Sequence, residues 1–252
     1  RRQRQMCIRD RSDGKELTTR EEKRRLFEHL GIDILIEFPL TKETAATEPE
    51  RFVTEILAKQ MNTRFVAAGE DLSFGKNGAG NAELLEKMAP HLGFCVRTIE
   101  KIEVDGIEVS STYIRKLVEE GRMEEAEKML GMPYTLVGCV EHGNHIGHTL
   151  GFPTVNLLPP AGKLLPPNGV YYAVVRYNGK VYKAISNVGT KPTVSSEKVM
   201  GVESYLYDFA QDIYGQEIEV ALKSFRRPER RFGSLEELKK QLDWDIADGR
   251  NA

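Results

Sequence analysis

A chain of 252 residues with 40% hydrophobic and 29% charged residues has the composition of an ordinary soluble globular protein, long enough for two small domains. Lysine and arginine number 36 against 38 acidic residues, a formal net charge of −2, so no protein-wide positive field exists to hold nucleic acid and any phosphate binding must be local. Cys7, Cys95 and Cys139 are odd in number and lack C-x-x-C spacing, and no apolar run approaches the ~20 residues of a membrane span. Neither a disulfide framework, a zinc site, a membrane anchor nor a secretory leader is predicted, and a cytoplasmic location is expected.

Residues 1–12 carry five arginines and no apolar period, and are set aside as a tag, artefact or disordered tail. From Thr19 the pattern alternates. Thr19 with Glu22 forms a capping box, Leu26, Phe27 and Leu30 follow at helical spacing, and Gly31 supplies the stop. Ile32 to Phe38 reads as a buried strand. A second capping box, Thr47 with Glu50, opens a helix carrying Phe52, Val53, Ile56 and Leu57, and Arg64 to Ala68 is the next strand, closed by Gly69. A helix from Ala82 to Leu92 with a stop at Gly93, a strand from Phe94 to Ile99 and a helix after Ser111-Thr112 complete a βα alternation. Such alternation predicts a mostly parallel sheet with helices on its faces. It opens on a helix, whereas nucleotide sites in such folds sit where the first strand turns into the first helix, so that strand is expected to be missing.

Near Leu130 the character becomes all-β. Tyr134 to Val140, Val170 to Tyr177, Lys180 to Ser186, Ser204 to Phe209 and Glu217 to Phe225 read as strands with no helix between them, and a closed or nearly closed barrel is expected. Asn178-Gly179 predicts a type I′ hairpin, because both residues tolerate positive φ. Ile218, Val220 and Leu222 alternate with Glu217, Glu219 and Ala221, which gives one apolar face. The chain closes on a helix with Ser234 as N-cap, Glu237 three residues on, and Leu235, Leu238, Leu242 and Ile246 as the stripe expected to dock on the barrel.

The most informative stretch runs from Gly143 to Asn156. Gly143, Gly147 and Gly151 free backbone N–H groups to turn toward a ligand, which builds a phosphate-binding concavity without a lysine-rich surface; a long hairpin loop is the plain alternative. Thr154 and Asn156, two residues apart on an extended segment, put a hydroxyl and an amide oxygen on one side, both hard ligands suited to Mg²⁺.

The ordered motifs G-x-x-x-G-x-x-x-G-F-P-T-x-N, then Lys163, Pro167 and Gly169-Val170-Tyr171, then Asn187-Val188-Gly189 with Pro192-Thr193, then Glu203 and Asp212-Ile213-Tyr214-Gly215, resemble riboflavin kinase from about Met129 to Gly249. The resemblance implies that the glycine loop covers the ATP phosphates, that Thr154 and Asn156 hold the metal beside them, and that Glu203 is the base for the ribityl hydroxyl. His148 stands where the family often has arginine. His145-Ile146-Gly147-His148 spells the HIGH tetrapeptide of nucleotidylyltransferases, but Gly151 and Pro153 follow too closely for the helix that motif needs. His142, His145 and His148 come at steps of three, and a glycine loop is not the helix that would align them on a metal.

In the first half, the stretch Gly69-Glu70-Asp71-Leu72-Ser73-Phe74-Gly75 resembles the flavin-proximal loop of the bacterial bifunctional riboflavin kinase and FAD synthetase. Ser110-Ser111-Thr112-x-Ile114-Arg115 resembles the same enzyme's ATP-binding signature, in which hydroxyls and an arginine meet phosphates at a helix N-terminus. The family's opening G-x-F-D-G-x-H-x-G-H is absent, so FMN adenylyltransferase activity is expected to be lost. Phe225 to Phe232 is a basic cluster read as a solvated connector rather than a nucleic-acid patch, although by resemblance it lies near the flavin site, and Trp244 is read as a packing residue.

The resulting expectation is an incomplete Rossmann-like domain over 13–126 followed by a riboflavin-kinase β-barrel with a C-terminal helix over 127–252. Its partners are riboflavin, ATP and FMN, with Mg²⁺ and no nucleic acid or membrane. A non-catalytic barrel that binds flavin or single-stranded nucleic acid is the alternative.

Overall fold

The computed structural model of the protein describes residues 14–39, 41–142, 152–192 and 198–250. Two compact units divide it, one built on Arg24–Glu108 and the other on Glu16–Lys23 together with the chain from Val109 onward.

Helix α1, Arg20–His29, opens on the expected capping box: Glu22 N donates to Thr19 Oγ1 at 3.2 Å and Thr19 N to Glu22 Oε2 at 2.9 Å. The short α2, Lys42–Ala45, is capped by Thr41 and Thr44, and α3, Pro49–Arg51, runs into a π-helical stretch, Phe52–Gln60. The predicted Thr47–Glu50 box does not form, since Thr47 Oγ1 donates instead to Glu43 O. Proline at the first helical position sets that start, its fixed φ and missing N–H suiting a site where the donor has no partner. Strands β1, Phe65–Gly69, and β2, Cys95–Ile99, pair in parallel across α4, Ala82–Leu92, which Asn81 caps and Gly93 ends at φ +75°. Their core is Val53, Ala68, Phe74, Leu85, Ala89 and Phe94. A small hairpin follows, β3, Glu103–Val104, and β4, Ile107–Glu108.

Ile32 to Phe38 is not the buried strand its alternation predicts. Ile32, Ile34 and Ile36 are 50%, 76% and 49% exposed, because β1 and β2 pair with each other and no described strand pairs with this segment. Alternation marks a segment able to be a strand; only a partner's hydrogen bonds make it one.

In the second unit, α5, Ser111–Glu119, and α6, Met123–Leu130, precede β5, Tyr134–Glu141. Strands β6, Thr154–Leu157, β7, Gly169–Tyr177, β8, Lys180–Pro192, β9, Lys198–Leu206, and β10, Glu217–Pro228, complete a closed antiparallel barrel in the order β10-β5-β6-β9-β8-β7. Asn178 and Gly179 take φ +46° and +72° in the predicted tight turn between β7 and β8. Leu136, Leu157, Val175, Val188, Val202, Val220 and Leu222 are at most 1% exposed and fill the interior; Ser186 and Ser204, also buried, satisfy one another at 2.7 Å. The alternate residues face outward, where Val170, Ile185 and Tyr207 form a second core with Tyr172, Tyr205 and Ile246.

Helix α7, Leu235–Arg250, covers that outer core, opening on Ser234, whose Oγ accepts from Glu237 N at 3.2 Å. Gly249 allows its close approach, since a Cβ there would lie 2.4 Å from Ile185 Cδ1. Leu235, at the helix's free end, is 64% exposed, and Trp244, expected to pack, is 59% exposed. The basic cluster is also not a solvated connector: β10 extends through Arg226 and Arg227, which face acids of α7. Arg227 donates to Asp245 at 3.0 and 2.5 Å, while Arg226 donates to Asp248 at 2.9 Å and lies 4.4 Å from the Tyr172 ring centre.

Lys163 is buried in this unit. Its Nζ donates to Leu17 O at 2.8 Å and Glu22 Oε2 at 2.6 Å, over the Tyr134 ring. Burial holds its pKa below the usual lysine value, with Glu22 opposing that shift.

Candidate active site

Strand β6 is only four residues long, yet it carries both predicted metal ligands. Thr154 and Asn156 are two residues apart and so share a face; Asn156 is the cross-strand partner of Glu203 on β9, and Thr154 that of Tyr205. Ser204 points into the barrel, so Glu203 points out. Thr154 Oγ1 donates to Glu203 Oε1 at 2.5 Å, a charge-assisted bond between residues 49 apart in sequence. Glu203 does not sit at a strand entrance as expected. Strand β9 begins at Lys198 and ends at Leu206, which puts Glu203 well inside it, between Asn156 on one side and Asn187 of β8 on the other. The strand begins before the expected Ser204 because β9 already pairs with β8 from Lys198 onward, a pairing no local periodicity announces.

Beside this row lies a groove of about 570 Å³, lined by Pro153, Thr154, Phe209, Asp212, Ile213 and Tyr214 among others. The Tyr214 ring stacks on His142 with centroids 3.8 Å apart, and Asp212 Oδ1 accepts from Tyr214 N at 3.2 Å, fixing the turn that presents the ring. Phe152 meets Tyr205 edge to face at 6.1 Å. An apolar, aromatic-walled groove of this size next to hard oxygen donors suits a planar heterocycle with a polar tail. Gly143, Gly147 and Gly151, with His145 and His148, lie outside the described residues. Among the described residues no cluster of three or more His, Cys, Asp or Glu could hold a metal.

The first-half candidates fall in both compact units. Asp71 is exposed, just past the C-terminal end of β1 in the first compact unit. Ser110 caps α5 in the second, its side chain accepting from Tyr113 N at 3.2 Å; Ser111 and Thr112 form the first turn. Arg115 is 8% exposed, on the buried side of α5 with Ile114, Leu117 and Val118.

Glu229 and Asn168, which bond beside Asn187, carried no local signal of their own. Glu229 accepts from Asn187 Nδ2 at 2.9 Å and from Asn168 Nδ2 at 3.1 Å, and sits where a Cβ at position 189 would be. The Asn187-Val188-Gly189 motif and the resemblance of the Phe225 to Phe232 segment pointed to this place.

Comparison with known proteins decides the family. Residues 130–252 match the riboflavin kinase family and residues 2–113 the FAD synthetase family. A bifunctional riboflavin kinase/FMN adenylyltransferase from Listeria monocytogenes is 36% identical over 240 residues, 95% of this chain and 76% of that protein. The chain belongs to the bifunctional riboflavin kinase/FMN adenylyltransferase family. The Escherichia coli K12 member is 35% identical over 230 residues, 91% of this chain and 73% of its own length. A crystal structure from Streptococcus pneumoniae, named a macrolide-efflux protein, superposes with a TM-score of 0.84 at 30% identity, covering 94% of this chain and 76% of that one. Of the described residues in this family member, no helix is long and apolar enough to cross a membrane.

Proposed function

We propose that the outer face of the barrel transfers the γ-phosphoryl group of ATP to the 5′-hydroxyl of riboflavin's ribityl chain, giving FMN, with Glu203 as general base. The observation that carries this reading is the Thr154–Glu203 hydrogen bond, which joins a hard oxygen ligand to a carboxylate at the mouth of an aromatic groove. Phosphoryl transfer is chiefly positioning and charge neutralisation, so a phosphate cradle, a cation and a proton acceptor suffice. Thr154 donates its hydroxyl hydrogen to Glu203 in a hydrogen bond, which leaves the lone pairs of its oxygen available beside the amide oxygen of Asn156 on the same strand face. Those two oxygens fit a hard divalent ion, which we take to be Mg²⁺; when bound it supplies charge neutralisation at the β- and γ-phosphates. Glu203 accepts the proton of the attacking alcohol, the Phe209–Tyr214 groove takes the adenine, and the Gly143, Gly147 and Gly151 motif is assigned to the phosphates.

Residues 13–126 are, in this proposal, a partial FAD synthetase domain and 127–252 the kinase domain. By resemblance, Asp71, Ser110, Ser111, Thr112 and Arg115 belong to that domain's flavin- and ATP-binding motifs. FMN is the product proposed for the kinase domain. Incubation with riboflavin, ATP and Mg²⁺ and chromatographic separation of the flavins tests this. Glu203→Gln is expected to lower FMN formation by about 10²–10⁴-fold with riboflavin and ATP affinities retained. No FMN at all, with riboflavin still bound, would leave a non-catalytic flavin-binding barrel.

A further inference from the structure

Glu203 has two cross-strand neighbours. Asn156 belongs to the metal face; Asn187, on the other side, has so far no role. Directly opposite residues of an antiparallel pair have Cβ atoms about 4.5–5.5 Å apart, so the Asn187 amide stands within one small group's reach of the Glu203 carboxylate. The orientation of that amide is determined by its partner. A carboxylate can only accept hydrogen bonds, and Glu229 Oε1 receives Asn187 Nδ2 at 2.9 Å while Oε2 receives Asn168 Nδ2 at 3.1 Å. Asn187 must therefore turn its N–H₂ toward Glu229 and its Oδ1 away from it. The seat for Glu229 exists because residue 189 has no side chain: a Cβ there would lie 1.9 Å from Glu229 Oε1.

We propose that Asn187 is a substrate-binding residue, its Oδ1 accepting a hydrogen bond from a ribityl hydroxyl next to the one that reacts, and that Glu229 is the positioning residue that orients it. This deepens the kinase reading and rests on it for the direction in which the polyol lies. If the 5′-hydroxyl meets Glu203, the neighbouring hydroxyls must fall along the row of side chains flanking Glu203, and an acceptor oxygen is the complement of a hydroxyl donor. The Glu229 bonds are solvent-exposed and contribute little to stability, so the arrangement serves orientation rather than folding.

Two substitutions displace the carboxylate by unrelated means. Glu229→Ala removes it, and Gly189→Ala expels it sterically from a backbone conformation that alanine adopts freely. In the full chain both are expected to weaken riboflavin about three- to tenfold, the range of one hydrogen bond. The loss is read by flavin fluorescence titration without ATP and as a rise in KM for riboflavin, with KM for ATP unchanged, kcat less affected and unfolding midpoints retained. Asn187→Leu, which removes the acceptor itself, is expected to match them, and Glu229→Ala added to Asn187→Leu to cost nothing more. Unchanged riboflavin affinity in Glu229→Ala and Gly189→Ala overturns the proposal, as does a parallel fall in kcat, both affinities and stability, which marks a structural role. If the unsubstituted chain makes no FMN, the kinase reading fails, while the titration still decides whether Asn187 and Glu229 hold the flavin.

Discussion

Replacing Asp245 with alanine removes the acid that fastens α7 to the barrel. Its carboxylate is 4% exposed and takes two bonds from Arg227, whose side chain is 19% exposed, and a third from Gln241 at 2.8 Å. Breaking one half of a buried ion pair costs about 3–5 kcal/mol, because the surviving charge is left without a partner. Arg227 retains some access to water, so the lower end, about 3 kcal/mol, is expected. That corresponds to a fall in Tm of about 10 °C. The molecule carries its own reporter: Trp244 is the only tryptophan, lies on α7 beside Asp245 and is 59% exposed. Urea unfolding followed by tryptophan fluorescence is expected to show an earlier transition in Asp245→Ala than circular dichroism shows for the barrel as a whole, as α7 leaves first. Arg227→Met with Asp245→Leu is expected to be less damaging than the sum of the single changes, since neither partner is then stranded. A fluorescence midpoint in Asp245→Ala equal to that of the parent, or additive single and double variants, would refute the reasoning and make the pair a surface ornament.

Thr154→Val keeps the shape of a strand residue but removes both the oxygen proposed for the metal and the hydrogen bond donated to Glu203; turnover is expected to fall by about 10²-fold or more with the circular dichroism spectrum intact, and near-normal turnover with unchanged Mg²⁺ dependence would return Thr154 to packing. Alkaline stability follows from the buried tyrosines. Burial raises Tyr134 and Tyr171 well above the usual 10.0 and Tyr207 to about 12. Groups raised in the folded state contribute stability that is complete below the unfolded value, about pH 10, and is lost as pH climbs from there toward the folded values. Lys163, lowered by burial, acts in a lower window: it adds stability as pH rises toward the ordinary lysine value of 10.5 and nothing further above it. The urea midpoint of the barrel is thus expected to hold to about pH 10 and to drop beyond it, less steeply in Tyr134→Phe; a midpoint that rises above pH 10 would contradict this.

How far the sequence disclosed this molecule depends on the distance over which each feature is decided. Caps and turns are settled within a few residues, and Thr19 with Glu22, Asn178-Gly179, Gly93 and Ser234 all do what their local chemistry predicts. The barrel strands were legible from period-two alternation such as Ile218, Val220 and Leu222, and the site's residue types from the ordered family motifs. What misled was alternation without a partner, in Ile32 to Phe38, and charge without a counter-charge, in Arg226 and Arg227, whose acids lie 22 and 18 residues further on. The same limit governs the site. Thr154 and Glu203 meet across 49 positions and Asn187 and Glu229 across 42, separations at which no periodicity or spacing rule operates. Only the closure of β6 onto β9 and β9 onto β8 makes one polar row of Asn156, Glu203 and Asn187. A carboxylate that looks like one of many in sequence gains its chemistry from the two strands that happen to flank it.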